Sequence, residues 1–185
     1  MLSAMWDSSN SSESQNELLA LRSPQEIIND NPPIPAPENP GGSGSDPQFN
    51  RQWGMQDIGV KAAWNITKGR PEIVVAVIDT GVDYTHEDLR ANIWHNSGEM
   101  GRDAQGRDKS TNGIDDDQNG FIDDVIGWDF VQNDNRPFDL TTSVWDMLKG
   151  GGNPGHGTHC SGNVAAVADN GKGISGVAPG VKIMP

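Results

Sequence analysis

The sequence predicts an α/β domain with a mostly parallel sheet over residues 46–185, and three segments carry that prediction. Residues 73–78 (IVVAVI) are an uninterrupted, largely β-branched run, which is typical of a strand covered on both faces of a parallel sheet. Residues 158–168 are rich in small residues and compatible with a helix. After the turn at 169–173, a further strand is predicted to begin at Val181.

The residues before Asp46 predict a tail and linker. Residues 1–45 begin with a Ser/Asn-rich stretch, include a short possible helix at 16–29 and finish in NPPIPAPENPGGSGS. Proline fixes extended backbone and the Gly/Ser stretch loosens it. We therefore expect a domain boundary at Asp46, with residues 1–45 either an unrelated tail or the remnant of a pro-segment.

Two further elements are predicted inside the domain. Residues 58–67 have the apolar spacing of a short helix, and the turn at 68–71 ends it. Residues 92–155 are polar and glycine-rich, so they predict a long loop in which only 125–131 resembles a strand.

Composition limits the classes of partner. The 26 acidic and 13 basic residues give a formal charge of −13, which disfavours nucleic acid and anionic membranes and favours cations such as Ca²⁺. Cys160 is the single cysteine, so no internal disulfide forms. No apolar run approaches membrane-spanning length, and residues 1–31 lack the basic start and apolar core of a secretory signal.

Asp79 is a candidate catalytic residue because it directly follows the predicted strand at 73–78. In α/β sheets, catalytic groups collect at the carboxyl ends of strands, where loops vary above a rigid scaffold. The alternative is a structural role, because an aspartate at this position could equally cap the turn at Thr80 and Gly81.

His156 is the second candidate, at the start of the predicted small-residue helix. It lies in GHGTHCSG (155–162), whose glycines allow close backbone approach to a substrate. A zinc site is the competing interpretation, since His156, His159 and Cys160 have helical spacing, with Asp79 as a further ligand. No HExxH or paired CxxC motif accompanies them.

Four segments together resemble the successive signatures of the subtilisin-like (subtilase) family of serine peptidases. They are VIDTGVD at 77–83, HEDL at 86–89, HGTHCSG at 156–162 and GVAP at 176–179. Two catalytic-type motifs in the right order argue against a chance match. The resemblance implies the N-terminal part of a three-layer subtilisin-like domain over residues 46–185, with the C-terminal half missing.

The resemblance also implies an Asp-His-Ser triad that hydrolyses peptide bonds. Asp79 would orient the imidazole, and His156 would act as general base and then general acid. His159 is similar to the family's structural histidine, and Cys160 would be a buried thiol beside His156. The family's serine nucleophile and oxyanion asparagine follow the GVAP segment, so we expect no peptidase activity from these 185 residues alone.

Calcium is the expected cofactor, first from the residues themselves. Asp115, Asp117 and Asn119 precede Gly120 at alternate positions, like the start of an EF-hand loop. Position 12 of that loop would be Ile126 in place of a bidentate Glu, so further ligands must come from elsewhere, with Asp123 and Asp124 as candidates.

Two more calcium sites are implied by resemblance to thermitase-like members of the family. The first would use the ligands Asp46, Asp88, Val167, Asn170 and Ile174, and Lys172 departs from the family pattern there. The second would use Asp129 and Asp134, and Arg136 departs from it.

The leading hypothesis is therefore a secreted, monomeric calcium-binding serine endopeptidase that acts on polypeptides. Its own pro-segment is a further candidate partner, while nucleic acid and membrane are not expected. The alternative is a non-catalytic calcium-binding or interaction module, or a pseudo-peptidase, built on the same half-domain.

Overall fold

The computed structural model describes residues 44–139 and 154–185, which form a mixed α/β arrangement. The predicted helix at 16–29, nearly all of the predicted tail, and residues 140–153 lie outside the described residues. The helices and strands are α1 (Trp53–Asp57), α2 (Val60–Trp64), β1 (Val74–Ala76), α3 (His156–Ala165) and β2 (Lys182–Met184). Short 3₁₀ turns occur at Phe49–Arg51, Arg90–Asn92, Ser97–Glu99 and Lys109–Thr111.

Strands β1 and β2 form a two-stranded parallel sheet, which confirms both predicted strands and their parallel direction. Val74 pairs with Lys182 and Ala76 with Met184. Because the two strands are distant in sequence, the intervening chain crosses over between them and includes helix α3. The sheet therefore brings the segment after β1 close to the helix that precedes β2.

The prediction that residues 73–78 are covered on both faces is wrong for the described part of the chain. Val75 and Val77 pack against the core, whereas Val74 is 39 % exposed and Ile78 is 93 % exposed. Successive side chains of a strand point to opposite faces. Residues 44–139 and 154–185 cover only one of these faces.

The predicted strand at 125–131 is absent. Val125 and Ile126 are buried in the core, but the backbone then turns at Gly127, whose φ is +145°. Phe130 and Val131 are 71 % and 89 % exposed. The apolar run thus consists of two buried residues followed by a surface turn. Composition alone does not distinguish such a segment from a strand.

The predicted short helix at 58–67 is confirmed as the shorter helix α2, and helix α1 precedes it outside the predicted range. Gly59 separates them in the left-handed region, with φ +68°. Ile58 and Ile66, two of the residues whose apolar spacing predicted the helix, are 62 % and 88 % exposed. The side chains that are buried in this region are Phe49, Met55, Val60 and Trp64.

Helix α3 begins at His156 and ends at Ala165, so the predicted helix at 158–168 is confirmed in type and shifted toward the N-terminus. Ala166 has an extended ψ of 139°, and the Val167 amide donates to the Asp88 carbonyl instead of continuing the helix. The main core lies beneath this helix and the sheet. Its fully buried members include Val82, Leu89, Val125, Ile126, Ala165 and Ile183.

We expect His95 to make the fold sensitive to acid. Burial, together with the nearby charge of Lys182, lowers the pKa of His95 below its ordinary value of 6.5. The unfolded chain therefore binds the proton at higher pH than the folded chain does, so stability is present above pH 6.5 and is lost as the pH falls. Urea unfolding midpoints between pH 7.5 and 5.5 measure this slope.

His95→Gln should flatten that slope, because glutamine does not titrate. Equal slopes for the wild-type chain and His95→Gln would contradict the assignment.

Candidate active site

Asp79 and His156 lie in contact although 77 residues separate them in the sequence. The Nδ1 atom of His156 is 2.7 Å from each carboxylate oxygen of Asp79. An ionised carboxylate only accepts hydrogen bonds, so Nδ1 carries a proton, and in the neutral imidazole Nε2 keeps its lone pair. The Asp79 carboxylate thus holds His156 in the tautomer whose Nε2 can act as a base.

The electrostatics favour an ionised Asp79. The hydrogen bond from His156, followed by one from the Thr80 amide at 2.7 Å, lowers the pKa of Asp79 below its ordinary value. The Asp79 side chain is 17 % exposed, while that of His156 is 46 % exposed. The carboxylate is therefore covered by the imidazole, which itself faces solvent.

Two glycines allow this close approach. Gly157, in the first turn of α3, lies against the loop after β1, and a Cβ there would collide with the Gly81 carbonyl oxygen and stand 3.2 Å from the Asp79 Cβ. Gly81 has φ +97°, in the region that favours glycine. The glycines around the two motifs thus set the distance between helix α3 and the Asp79 loop.

Asp139 is a buried residue at this site that sequence reasoning missed. It is 1 % exposed. Its carboxylate accepts hydrogen bonds from the Thr80 hydroxyl (2.6 Å), the Gly155 amide (3.0 Å) and the Thr158 amide (2.8 Å). It therefore ties the loop after Asp79 to the N-terminal end of α3, and an acidic group is also favourable at a helix N-terminus. No local sequence pattern indicates contacts at such separations.

We expect Asp139→Asn to destabilise the fold by about 2 kcal/mol, because an amide cannot accept all of these hydrogen bonds and loses the charge that strengthens them. Guanidinium unfolding of the purified chain measures the change. Asp57→Asn, at an exposed position, is the control and should stay within about 0.5 kcal/mol of the wild type. Equal unfolding free energies for the two variants would contradict the role of Asp139.

Cys160 lies one helical turn after His156, with its Sγ atom 3.8 Å from the histidine Nδ1. The expectation of a buried thiol is corrected, because the residue is partly exposed. Asp79, His156 and Cys160 could together hold a metal ion, whereas His159 is exposed and its side chain contacts Asn163. The zinc alternative thus has a different ligand set from the one the sequence predicted.

Two serines near the histidine motif do not face it. Ser161 is fully buried inside α3, and its hydroxyl has no hydrogen-bond partner. Ser175 is also fully buried and donates to the Asp46 carboxylate at 2.6 Å. Neither hydroxyl is accessible to a substrate.

Asp46 and Asp88, two of the residues predicted for the first calcium site, both accept hydrogen bonds from the turn after α3. Asp46 accepts hydrogen bonds from the amides of Asp169 (2.8 Å) and Gly171 (3.1 Å). Asp88 accepts from the Asn170 side chain (2.7 Å) and the Ile174 amide (3.0 Å). The structure thus brings four of the five predicted ligand residues together, and the fifth, Val167, contacts Asp88 through its backbone.

The two carboxylates of this turn are of the oxygen type that binds calcium, and in the structure each oxygen of both accepts a hydrogen bond from an N–H or O–H group. Asp46 and Asp88 are 4 % and 2 % exposed, and neither pairs with a lysine or arginine within residues 44–139 and 154–185. Burial raises the pKa of Asp88, and the charge of Asp46 adds to the shift. Lys172 donates to Glu87 at 2.7 Å, so its ammonium group faces the surface. Hard oxygen donors without a competing cation are what Ca²⁺ prefers.

The other predicted calcium ligands organise local turns. Asp115 accepts hydrogen bonds from the amides of Asn119 (3.0 Å) and Gly120 (2.8 Å). Asp129 and Asp134 exchange backbone hydrogen bonds at 2.8 and 3.1 Å across a tight turn. Their carboxylates accept from amides inside or next to that turn.

Glu99 is a second buried acidic residue that sequence reasoning missed. It is 0 % exposed, and burial raises its pKa. A carboxylate oxygen of Glu99 lies within 4.8 Å of one from Asp117 and one from Asp124. Burial also raises the pKa of Asp124. Of the residues predicted as an EF-hand-like start, only Asp117 belongs to this cluster.

A carboxylate that orients a histidine at the end of a strand is an acid–base pair of the kind used by serine hydrolases. The sequence profile of the subtilase family matches residues 70–185, which include both members of the pair. The chain belongs to the subtilase family, a family of serine peptidases.

Curated relatives agree with this membership. Subtilisin-like protease 1 of Plasmodium berghei is 35 % identical over 142 residues, which are 76 % of this chain and 20 % of the relative. Thermitase of Thermoactinomyces vulgaris is 34 % identical over 141 residues, or 76 % of this chain and 34 % of thermitase. A thermophilic serine proteinase of Bacillus sp. is 33 % identical over 133 residues, which are 72 % of this chain and 22 % of the relative. The chain thus spans a fifth to a third of these relatives.

The helices within residues 44–139 and 154–185 are all too short to cross a membrane.

Proposed function

We propose that this chain supplies two members of the catalytic triad of a serine endopeptidase, with His156 as general base and then general acid and Asp79 as the carboxylate that orients it. The observation that carries the proposal is the 2.7 Å contact between His156 Nδ1 and the Asp79 carboxylate. It leaves Nε2 free to take a proton from a serine hydroxyl and later to give it to the leaving amine. The ionised Asp79 then stabilises the imidazolium that forms between these steps.

The serine nucleophile and its oxyanion donor are not assigned to this chain. Ser161 and Ser175 are fully buried, so neither is a candidate. We therefore expect the 185 residues alone to show no measurable peptide hydrolysis, since loss of a triad serine lowers kcat by about 10⁶-fold. Polypeptides are the proposed substrate, secretion the proposed location and a monomer the proposed state.

The complete open reading frame that contains this chain provides the test. Its product should hydrolyse a casein substrate and react with a serine-directed fluorophosphonate, and His156→Ala should abolish both signals. A folded full-length product that does neither would reject the peptidase proposal and favour a non-catalytic module. Zinc-dependent activity that survives serine modification would favour the cluster of Asp79, His156 and Cys160 as a metal centre.

Calcium is proposed as the structural cofactor, first at the turn after α3. Asp46, Asp88 and Asn170 would hold the ion with their side chains, and Val167 and Ile174 with their carbonyls. Its positive charge would offset two buried carboxylates and tie residue 46 to the helix that carries His156. Asp129 and Asp134 remain candidates for a further site. Weak sites of this kind suit the millimolar calcium found outside cells.

A further inference from the structure

A groove of about 340 Å³ lies where the 3₁₀ turn at 49–51 meets helices α1 and α2. Its floor is formed by the buried, apolar side chains of Phe49, Met55 and Val60, which belong to the small core of this region. Its rim includes the exposed residues Lys61 and Ala62. The groove therefore combines an apolar floor with a cationic group at its edge.

The chain enters the described part of the molecule at the edge of this groove. Gly44 lies so close to it that a Cβ there would collide with the Phe49 ring and with the Cε atom of Lys61. Ser45 then donates its backbone amide (3.1 Å) and its hydroxyl (2.9 Å) to the Asp169 carboxylate. Residue 44 is thus held against the groove, and the residues before it start from that point.

The sequence before Gly44 has the composition of a groove-binding peptide. Residues 32–40 (PPIPAPENP) contain five prolines. Proline favours the extended polyproline II conformation, and such segments bind apolar, aromatic-lined grooves at a low cost in entropy. Ile34 adds a large apolar side chain, and Glu38 carries the charge opposite to that of Lys61.

Lys61 is placed to receive that charge. Its Nζ atom lies 5.0 Å from the centroid of the Phe49 ring, over the apolar floor. Among the residues that the structure describes, no carboxylate forms an ion pair with it. The ammonium group is therefore oriented by an aromatic ring and has its charge available to a carboxylate from outside these residues.

We propose that residues 34–38 (IPAPE) of this chain bind in the groove, with Glu38 beside Lys61. Residues 39–43 then form the tether to Gly44, which spans at most about 21 Å when extended and so reaches across the groove. A tether this short gives the segment an effective concentration in the millimolar range at its site. A contact too weak to hold a free peptide is therefore sufficient here.

Binding of this segment fixes the direction in which the N-terminal part of the chain leaves the domain. The walls of the groove are themselves attached to the segment after α3, because the Gln52 and Trp64 side chains donate to the carbonyls of Ser175 (2.9 Å) and Val177 (2.9 Å). Residues before Ile34 are then held along this side of the domain, and only residues 39–43 act as a linker.

Hydrogen exchange of the full 185-residue chain tests the proposal from the side of the segment. The triple variant Ile34→Ser, Pro35→Ser and Pro37→Ser removes the apolar contacts and changes no residue of the groove. Peptides from residues 49–64 should exchange faster in this variant than in the wild type, because the groove loses its cover. Pro24→Ser, outside the segment, is the control and should leave their exchange unchanged.

A nitroxide label on Asn31→Cys, in a Cys160→Ser chain, tests it from the side of the groove. The label should broaden the amide NMR signals of residues 55–62. Ala62→Trp fills the groove and should abolish this broadening, whereas Ala63→Trp, at an exposed neighbour that does not line the groove, should keep it.

Two results would overturn the proposal. One is unchanged exchange of residues 49–64 in the triple variant, which decides the matter if Ala62→Trp fails to fold, and the other is broadening that persists in folded Ala62→Trp. Protection of residues 49–64 that rises with protein concentration in the triple variant would assign the groove to a second copy of the chain and would also reject residues 34–38. These readouts do not involve peptidase activity, so the result is independent of the proposed function.

Discussion

Asp79→Asn is expected to lower kcat by about 10⁴-fold in the complete peptidase, while leaving KM nearly unchanged. An asparagine amide would present a donor or a weak acceptor to His156 Nδ1, which now lies 2.7 Å from both carboxylate oxygens. The imidazole would then lose the tautomer in which Nε2 is the base, and the imidazolium would lose its stabilising charge. Initial rates on a chromogenic peptide, across a range of substrate concentrations, measure the effect.

The 185-residue chain allows the same variant to be examined without turnover. The proton on His156 Nδ1 should give a strongly downfield NMR signal that disappears in Asp79→Asn. Asp57→Asn, at the exposed last residue of α1, should keep both the signal and the activity. If Asp79→Asn retained normal kcat in the complete enzyme, Asp79 would be a turn-capping residue, as its position also allowed.

The contact between Asp79 and His156 could be anticipated because each residue lies in a short, self-contained motif. The apolar run before Asp79 predicts a strand, and the glycines around His156 predict a helix start, so each motif fixes its own residue locally. The parallel strand starting near Val181 was likewise predicted from a local pattern. The pairing of that strand with β1 then brings helix α3 next to the Asp79 loop.

Asp139 and Glu99 were missed for the opposite reason. Asp139 bonds to Thr80 across 59 positions, and Glu99 accepts from Asp117 across 18. Aspartate and glutamate in a polar loop usually indicate a solvated surface, so burial of either carboxylate is invisible to composition. Only the folded path of the long loop shows that these two side chains point inward.

Burial was also the weakest part of the strand and helix predictions. Ile58 and Ile66 are part of the apolar spacing that predicted a helix at 58–67, yet both lie outside helix α2 and are exposed. In the 73–78 run, the alternate residues Val74 and Ile78 are exposed, since the described residues cover one face of β1. Local patterns determine which backbone forms, whereas burial depends on which segments pack against it.

Gly157→Ala is expected to destabilise the chain by about 3 kcal/mol, the upper end of the usual cost of overpacking. The added Cβ would collide with the Gly81 carbonyl oxygen, which is part of the backbone and cannot rotate away. The first turn of α3 would then move back from the loop after β1. Because His156 begins that turn, its distance to Asp79 should increase, and the downfield Nδ1 signal should weaken.

Gly54→Ala is the matched control for this prediction, since Gly54 is also helical and nothing lies within 4 Å of its Cβ position. Alanine favours a helix over glycine by up to about 1 kcal/mol, so this variant should be neutral or stabilised. Guanidinium unfolding of both variants separates the collision from any general effect of alanine. A Gly157→Ala chain as stable as Gly54→Ala, with an intact Nδ1 signal, would mean that helix α3 does not need this close approach to bring His156 to Asp79.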